Sequence, residues 1–228
     1  SVLRRHNALI GMATITDGYP LYAEAANEKG LCMAALNFPD NAYYPTEEDP
    51  RKTNISPFEL ILWVLGQCGT VEEVRRLMDT THLVHIPFSS RLPLTPLHWH
   101  IADQTCSAAL EVTKDGLKLL DNPVGVLTNN PTFQFQLTNL SQYMNLVSGY
   151  PKNCFSGLEG IAPFGQGLGS FGLPGDYSPT SRFVKASYLC LNSVCEKNDP
   201  SSIAQLFHLL DSVSIVKGTV LSQQDACD

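Results

Sequence analysis

The sequence predicts an α+β fold of layered sheets and helices, and three observations carry this prediction. Short apolar runs come in groups separated by turn residues, which is typical of antiparallel hairpins. The predicted helices are grouped and do not alternate with strands one by one, which argues against a doubly wound sheet. The 228 residues, 43% of them hydrophobic, suffice for one domain with a substantial core.

Apolar runs bounded by turn residues predict seven strands, over residues 8–16, 21–25, 31–36, 97–102, 108–112, 117–120 and 124–127. Gly30 supplies the turn between the second and third strands. Lys114-Asp115-Gly116 is a hairpin turn between the fifth and sixth. Neighbouring strands are therefore expected to pair in antiparallel fashion.

Helix-start signals predict where the helical layers begin. Ser56 is an N-cap, Pro57 is the first helical position, and Glu59 is placed for a capping box, so a helix runs to about residue 67. Thr70 starts a second helix that runs to about residue 79. Three more helices are predicted over residues 132–144, 179–196 and 201–210, the last two with serine caps. Prolines make residues 82–96 an apolar surface loop, and residues 148–175 are irregular.

Charge and cysteine content restrict the class of partner and the compartment. Fifteen basic and 22 acidic residues give a net charge of -7 without a basic cluster, which argues against nucleic acid and against an anionic membrane surface. No apolar run is long enough to span a bilayer. Seven cysteines without a CxxC pair indicate reduced thiols. We expect a cytoplasmic protein whose partner is a small molecule or another protein.

Two motifs point to chemistry that their context does not support. Gly167–Gly172 matches GxGxxG, but no strand precedes it and Pro174-Gly175 follows, so a nucleotide site is not favoured. His98 and His100 share one face of a predicted strand, a spacing that some metal sites use. No third or fourth ligand is near in the sequence, so we expect ordinary hydrogen-bonding histidines and no metal.

Three polar residues have both an ordinary and a functional interpretation. Asn129, in GVLTNNPTF, follows a short apolar run, where it either starts a turn or aims its side-chain amide at a developing negative charge. Asn37 stands where a strand meets a proline turn. Arg182 lies in the first turn of a predicted helix, where it opposes the macrodipole and needs a partner, as in a surface ion pair. Local sequence alone leaves these alternatives open.

Several longer stretches together resemble one enzyme family. They are GYPLYAEAANEKGL, AALNFPDN, KTNISPFELILWVL, LHWHIAD, GVLTNNPTF and GLPGDYSPTSRFVKA, in this order and at these separations. From residue 8 to about residue 220 the chain resembles the choloylglycine hydrolases, which include conjugated bile salt hydrolases and penicillin V acylases. The resemblance implies an N-terminal-nucleophile hydrolase, an αββα sandwich of two antiparallel sheets between helical layers. It also implies hydrolysis of an unactivated amide by an amino-terminal cysteine, without metal or cofactor.

The resemblance assigns roles to residues that match the family's motifs. Asn129 matches the side-chain donor of the oxyanion hole, whereas Asn130 matches no functional position. Asn37 matches a second donor that acts through its backbone N–H, and Arg182 matches the arginine that supports the nucleophile's surroundings. The positions that match the substrate pocket are Thr16, Ala23, Phe88, Leu92 and Leu97. Relatives often carry an aromatic residue at the position of Thr16.

The resemblance also selects a substrate class. Asparagine at position 37 is typical of bile salt hydrolases, whereas penicillin V acylases carry tyrosine there. We therefore expect cleavage of glycine- or taurine-conjugated bile acids. The alternatives are a penicillin V acylase-type amidase, a non-catalytic steroid-binding remnant, and a structural fragment without activity.

The resemblance places the family's nucleophilic cysteine a few dozen residues before Ser1, and its closing strands after Val220. Neither Ser1 nor any of the seven cysteines occupies the nucleophile's place. Residues 1–228 are thus expected to be the interior of a single hydrolase domain of a bacterial protein, truncated at both ends and inactive by itself. The complete protein is expected to be a homotetramer, with residues 148–160 where subunits meet.

Overall fold

The computed structural model describes residues 5–221. It divides into two compact units, Ser1–Phe133 and Gln134–Asp228. The first unit contains the strands, and the second contains irregular chain and helices.

The first unit is built on a six-stranded sheet. Its strands, in their order across the sheet, are β1 Leu9–Thr16, β2 Tyr19–Asn27, β3 Cys32–Asn37, β6 Leu97–Ala102, β7 Ser107–Thr113 and β8 Gly116–Asp121. Every neighbouring pair is antiparallel. Six of the seven predicted strands are confirmed. The turn at Lys114-Asp115 is also confirmed, and it ends in Gly116 with a φ of 100° that favours glycine.

One face of this sheet carries the hydrophobic core. Helices α1 Leu60–Leu65 and α2 Val71–Asp79 supply one side of it, and a 3₁₀ turn over Pro57–Glu59 leads into α1. The sheet side includes Met33, Trp99, Ile101 and Leu110, all at most 2% exposed. Burial of these large apolar side chains is the main stabilising contribution in this unit.

The predicted helix starts form, with one difference in how Ser56 is used. Thr70 caps α2 by accepting a hydrogen bond from the Glu73 N–H. The Glu59 carboxylate accepts from the Ser56 N–H at 2.9 Å. The Ser56 hydroxyl donates to the carbonyl of Ile86. Ser56 therefore joins the start of the helical segment to the proline-rich loop of residues 84–96.

The bonding of β2 changes along its length. β1 and β2 pair from end to end, but Met12 is opposite Glu24 and Ala13 is opposite Tyr22, so Ala23 is an extra residue in a β-bulge. The ladder between β2 and β3 ends at Glu24 opposite Ala34. Beyond that pair the two strands separate, and the last three residues of β3 no longer bond to β2.

Two predictions about strands were wrong. Residues 82–96 were expected to be loop, and residues 84–96 are, but His82 and Leu83 belong to β5 Thr81–Leu83, which pairs in parallel with β4 Thr53–Ile55. Strands of three residues are too short for alternation to be visible in the sequence. Residues 124–127 form no strand, because the Asn122 side chain accepts from the Val124 and Gly125 N–H groups and donates to the Val126 carbonyl. Such side-chain bonds compete with a ladder.

The second unit contains most of α3 Phe133–Asn139, which starts at the last residue of the first unit, and also α4 Pro179–Asn192 and α5 Asp199–Asp211. Residues 148–175 are irregular as predicted, apart from a 3₁₀ turn at Leu168–Ser170. Ser178 caps α4 as expected, although the helix ends at Asn192 because Ser193 is extended. Asn198, and not a serine, caps α5 through the Ser201 N–H. Within residues 5–221 no helix is long and apolar enough to cross a membrane.

Replacing Gly11 by alanine should destabilise the protein. A Cβ at this position of β1 would overlap the carbonyl of Glu24 and lie 2.6 Å from the Ala25 Cβ. Overpacking of this kind typically costs about 1–3 kcal/mol. Urea unfolding of Gly11→Ala measures it. Gly165→Ala, where a Cβ meets no atom within 4 Å, is the control and should unfold like the wild type.

Candidate active site

The end of β3 presents a backbone N–H that is not used by the β6 ladder. Asn37 lies opposite Leu97, and the next residue, Phe38, donates its N–H to the Pro96 carbonyl at 2.8 Å. Bonded and non-bonded pairs alternate in an antiparallel ladder, so Asn37 and Leu97 form a non-bonded pair. The N–H and carbonyl of Asn37 therefore point away from β6, toward the side that β2 has left.

The Tyr44 hydroxyl forms hydrogen bonds with the N–H and the carbonyl of Leu97, which are not bonded to β3. The Leu97 N–H donates to it at 2.9 Å, and the hydroxyl donates to the Leu97 carbonyl at 3.1 Å. Burial raises the pKa of Tyr44 to about 12, so the hydroxyl keeps its proton. Sequence reasoning missed Tyr44, because a lone tyrosine in a loop carries no pattern that indicates this contact.

The two amides of GVLTNNPTF bind the last residue of β3 and the segment that follows it. Asn129 donates from Nδ2 to the Asn37 carbonyl at 2.9 Å. Asn130 donates from Nδ2 to the Pro39 carbonyl at 2.7 Å. An amide nitrogen carries two hydrogens, so the bond to Asn37 uses one of those on Asn129. The structure thus brings together two predicted site residues that lie 92 positions apart.

An apolar cavity of about 240 Å³ is lined by Leu97, the residue opposite Asn37 in the ladder between β3 and β6. Four of the five predicted pocket residues line it, namely Ala23, Phe88, Leu92 and Leu97. Ala35 also lines it, and Ala35 and Asn37 share one face of β3. The cavity therefore adjoins the end of β3. Thr16 is not among the lining residues and instead pairs with Tyr19 at the far end of β1.

Three aromatic rings pack against one another at one side of the cavity. The Phe88 ring lies 5.2 Å from Phe58 and 5.7 Å from Tyr19, and Tyr19 meets Phe58 edge-on at 5.8 Å. Burial and the nearby Glu59 charge raise the pKa of Tyr19. These edge and tilted contacts fix the proline-rich loop against the β1–β2 hairpin and the start of α1. The pattern of apolar residues gave no indication that Tyr19 takes part.

Arg182 lies in the second unit, in the first turn of α4 as predicted. Its Nε donates to the Tyr177 carbonyl at 3.1 Å, and burial lowers the pKa of the guanidinium. Hydrogen bonds from the Ser178 and Ser181 hydroxyls and from the Ser178 N–H lower the pKa of Asp176 to about 2. The turn before the helix is thus organised around a carboxylate.

The two strand histidines have separate partners. His98 Nδ1 lies 3.3 Å from a Glu111 oxygen, and His100 Nε2 lies 3.3 Å from Asn122 Nδ2. Across the described part of the chain, no three His, Cys, Asp or Glu side chains are grouped closely enough to hold a metal ion.

Comparison with known proteins identifies the family. A model of the linear amide C-N hydrolases, choloylglycine hydrolase family, matches residues 1–228. The chain belongs to the choloylglycine hydrolase family.

Two curated members of this family are similar along most of the chain. The bile salt hydrolase/transferase of Lactiplantibacillus plantarum is 49% identical over 216 residues, which are 95% of this chain and 66% of that protein. The bile salt hydrolase/transferase of Clostridium perfringens is 41% identical over 224 residues, 97% of this chain and 68% of that protein. The chain thus spans about two thirds of the length of these relatives.

Solved structures agree with the fold. A variant of the conjugated bile acid hydrolase from Clostridium perfringens superposes with a TM-score of 0.86 at 40% identity, over 96% of this chain and 67% of that one. Penicillin V acylase from Agrobacterium tumefaciens gives 0.69 at 23% identity, over 89% of this chain and 55% of that one, and shows the fold alone. The predicted α+β N-terminal-nucleophile hydrolase fold is confirmed.

Tyr44→Phe should lower the free energy of unfolding, because the Leu97 N–H and carbonyl would lose their partner. Leaving a buried polar group unsatisfied costs about 1–3 kcal/mol. Denaturant titrations at neutral pH measure the loss. Wild-type stability should also fall as the pH rises from about 10 toward 12, because the pKa of Tyr44 is about 12 in the folded chain against an ordinary 10.0. A Tyr44→Phe variant with wild-type stability and the same alkaline decline would contradict the role of this hydroxyl.

Proposed function

We propose that this chain is part of a conjugated bile salt hydrolase that cleaves the amide bond between a bile acid and glycine or taurine. The observation that carries the proposal is the contact of Asn129 with Asn37 beside the apolar cavity. Similarity to relatives named as bile salt hydrolases supports the substrate class. We assign no residue of this chain as the nucleophile, which the family resemblance implies to be an amino-terminal cysteine.

The reaction needs donors where negative charge develops. Attack on the amide carbonyl moves charge onto its oxygen, and donors held in place beforehand stabilise that oxyanion without reorganising. In our proposal these donors are the backbone N–H of Asn37, which points away from the β6 ladder, and the Nδ2 of Asn129. Asn130 is a second anchor through the Pro39 carbonyl and not a donor to the substrate. Arg182 supports the nucleophile's surroundings, as the family resemblance implies.

The cavity binds one face of the steroid. Its walls are aliphatic and aromatic, with Ala23, Phe88, Leu92 and Leu97 among the lining residues, and such surfaces suit a rigid apolar ring system. A volume of about 240 Å³ is below the range of about 300–1,000 Å³ that is typical of complete ligand pockets. We therefore propose that the cavity holds part of the steroid. Thr16 belongs to the substrate site only by the family resemblance.

Residues 1–228 belong, in this proposal, to a single hydrolase domain of a cytoplasmic homotetramer. Residues 148–160 form the subunit contact, and their exposed Phe155 and Leu158, 88% and 64% accessible, support an interface there. The six unpaired cysteines among residues 5–221 support a reducing compartment.

Asn129→Ala should abolish most turnover while the protein stays folded. Removing one oxyanion donor typically costs about two to three decades in kcat. Asn130→Ala is the matched control, because it removes a neighbouring amide and one anchor but keeps the donor, so its loss should be much smaller. Release of glycine or taurine by the full-length protein is the measurement. An Asn129→Ala enzyme with full activity would defeat the assignment.

Ala23→Leu should raise KM for conjugated bile acids by filling the cavity. Ala23 is exposed in the bulge of β2, so a larger side chain extends into the cavity without entering the core. Ala8→Leu, an exposed site that does not line the cavity, should leave KM unchanged.

The substrate class is tested by comparing the hydrolysis of glycocholate, taurocholate and phenoxymethylpenicillin by the wild-type protein. A clear preference for the penicillin would favour an acylase, and bile acid binding without release of the amino acid would favour a non-catalytic role.

A further inference from the structure

A buried histidine and glutamate lie directly opposite one another on the sheet face turned away from the helical core. Trp99 pairs with Leu110, which places His98 of β6 opposite Glu111 of β7. Their side chains are 0% and 4% exposed, and Nδ1 of His98 lies 3.3 Å from Oε1 of Glu111. A carboxylate oxygen accepts hydrogen bonds, so Nδ1 of His98 is the donor in this contact.

The histidine ring also holds the segment of Asn37. It stacks on the Phe38 ring, with centroids 4.2 Å apart and planes 7° from parallel. Phe38 directly follows Asn37, is fully buried, and bonds through its N–H to Pro96. The His98 ring therefore fixes the residue on which the orientation of the Asn37 peptide depends.

The glutamate holds the segment of Asn129. The same Oε1 accepts a hydrogen bond from the Phe133 N–H at 2.8 Å. Phe133 lies four residues after Asn129 and begins α3. One carboxylate oxygen thus joins the His98 ring to the chain that carries the second proposed oxyanion donor.

The energies involved indicate that the buried pair of His98 and Glu111, and not the direct hydrogen bond from Asn129 to Asn37, sets the distance between the two segments. The bond from Asn129 to Asn37 is exposed and neutral, and such a bond contributes about 0.5–1.5 kcal/mol net. A buried carboxylate that loses a hydrogen-bond donor costs several kcal/mol unless another partner replaces it. Displacing the Phe133 N–H would therefore leave Oε1 of Glu111 with one donor fewer, whereas displacing Phe38 would remove the ring stack on His98.

We propose that His98 and Glu111 are positioning residues that lock the Asn37 and Asn129 segments at the separation an oxyanion hole requires. This inference rests on the proposed function for its catalytic consequence, but the coupling of the two segments is independent of the substrate. Neither residue touches the substrate. They act through Phe38 and Phe133.

Three variants of the full-length protein test the proposal. Glu111→Leu removes the acceptor shared by His98 and Phe133, whereas Glu111→Gln keeps an oxygen at that place. Phe38→Leu removes the stacked ring without touching the buried carboxylate. Glu111→Leu and Phe38→Leu should lower kcat by about 10- to 100-fold, in line with the cost of small misplacements of catalytic groups, and leave KM unchanged. Glu111→Gln should retain most of kcat.

A matched core variant separates positioning from stability. Val74→Ala removes a fully buried side chain of α2 on the other side of the sheet, and should lower the melting temperature without changing kcat below it. A folded Glu111→Leu protein with wild-type kcat would overturn the proposal. So would equal losses for Glu111→Gln and Glu111→Leu that follow their melting temperatures alone.

Hydrogen–deuterium exchange supplies a readout that does not depend on turnover. Exchange in peptides spanning residues 36–40 and 127–134 should become faster together in Glu111→Leu and in Phe38→Leu, and stay unchanged in Val74→Ala. Acceleration of only one peptide would show that the segments are not coupled and overturn the inference. A wild type that hydrolyses no conjugate would defeat the proposed function and leave the exchange test decisive. If Glu111→Leu does not fold, Phe38→Leu decides both measurements.

Discussion

The site depends on the separation of β3 from β2 beyond Ala34. The bulge at Ala23 turns β2 away, so the last residues of β3 keep a hydrogen-bonded neighbour only in β6. Two consequences follow from this one change in the ladder. The Asn37 peptide points into the opening, and the apolar cavity forms beside it. Bulges near active sites commonly re-aim chains in this way.

The two faces of the sheet stabilise the fold through different interactions. The helical face is dry and apolar, so it supplies stability through burial but little directional information. The other face carries His98 and Glu111, whose burial is favourable only in one arrangement of their partners. Stability and geometry are thus provided by opposite sides of the same strands, β6 and β7.

Sequence reasoning located most elements because their signals are local. Alternation identified six strands of the large sheet, and Thr70 and Ser178 marked helix starts by their side-chain chemistry. Sequence reasoning failed at residues 124–127, where the Asn122 side chain forms hydrogen bonds with backbone groups of an apolar run. It also missed the β4–β5 pair, which is too short to show a period. For the site, family resemblance named Asn37 and Asn129, whereas Tyr44, Tyr19 and Glu111 act through contacts between distant segments.

The sequence by itself determined the α+β class and the order of the main elements, because these follow from patterns carried by neighbouring residues. Its resemblance to one family named Asn37 and Asn129 as candidate oxyanion donors. Only the tertiary structure decided that Asn129 bonds to Asn37, that four pocket residues line one cavity, and that Glu111 links two segments. Strand register and the bulge at Ala23 set these distances. They are properties of paired chains, and a single stretch of sequence does not contain them.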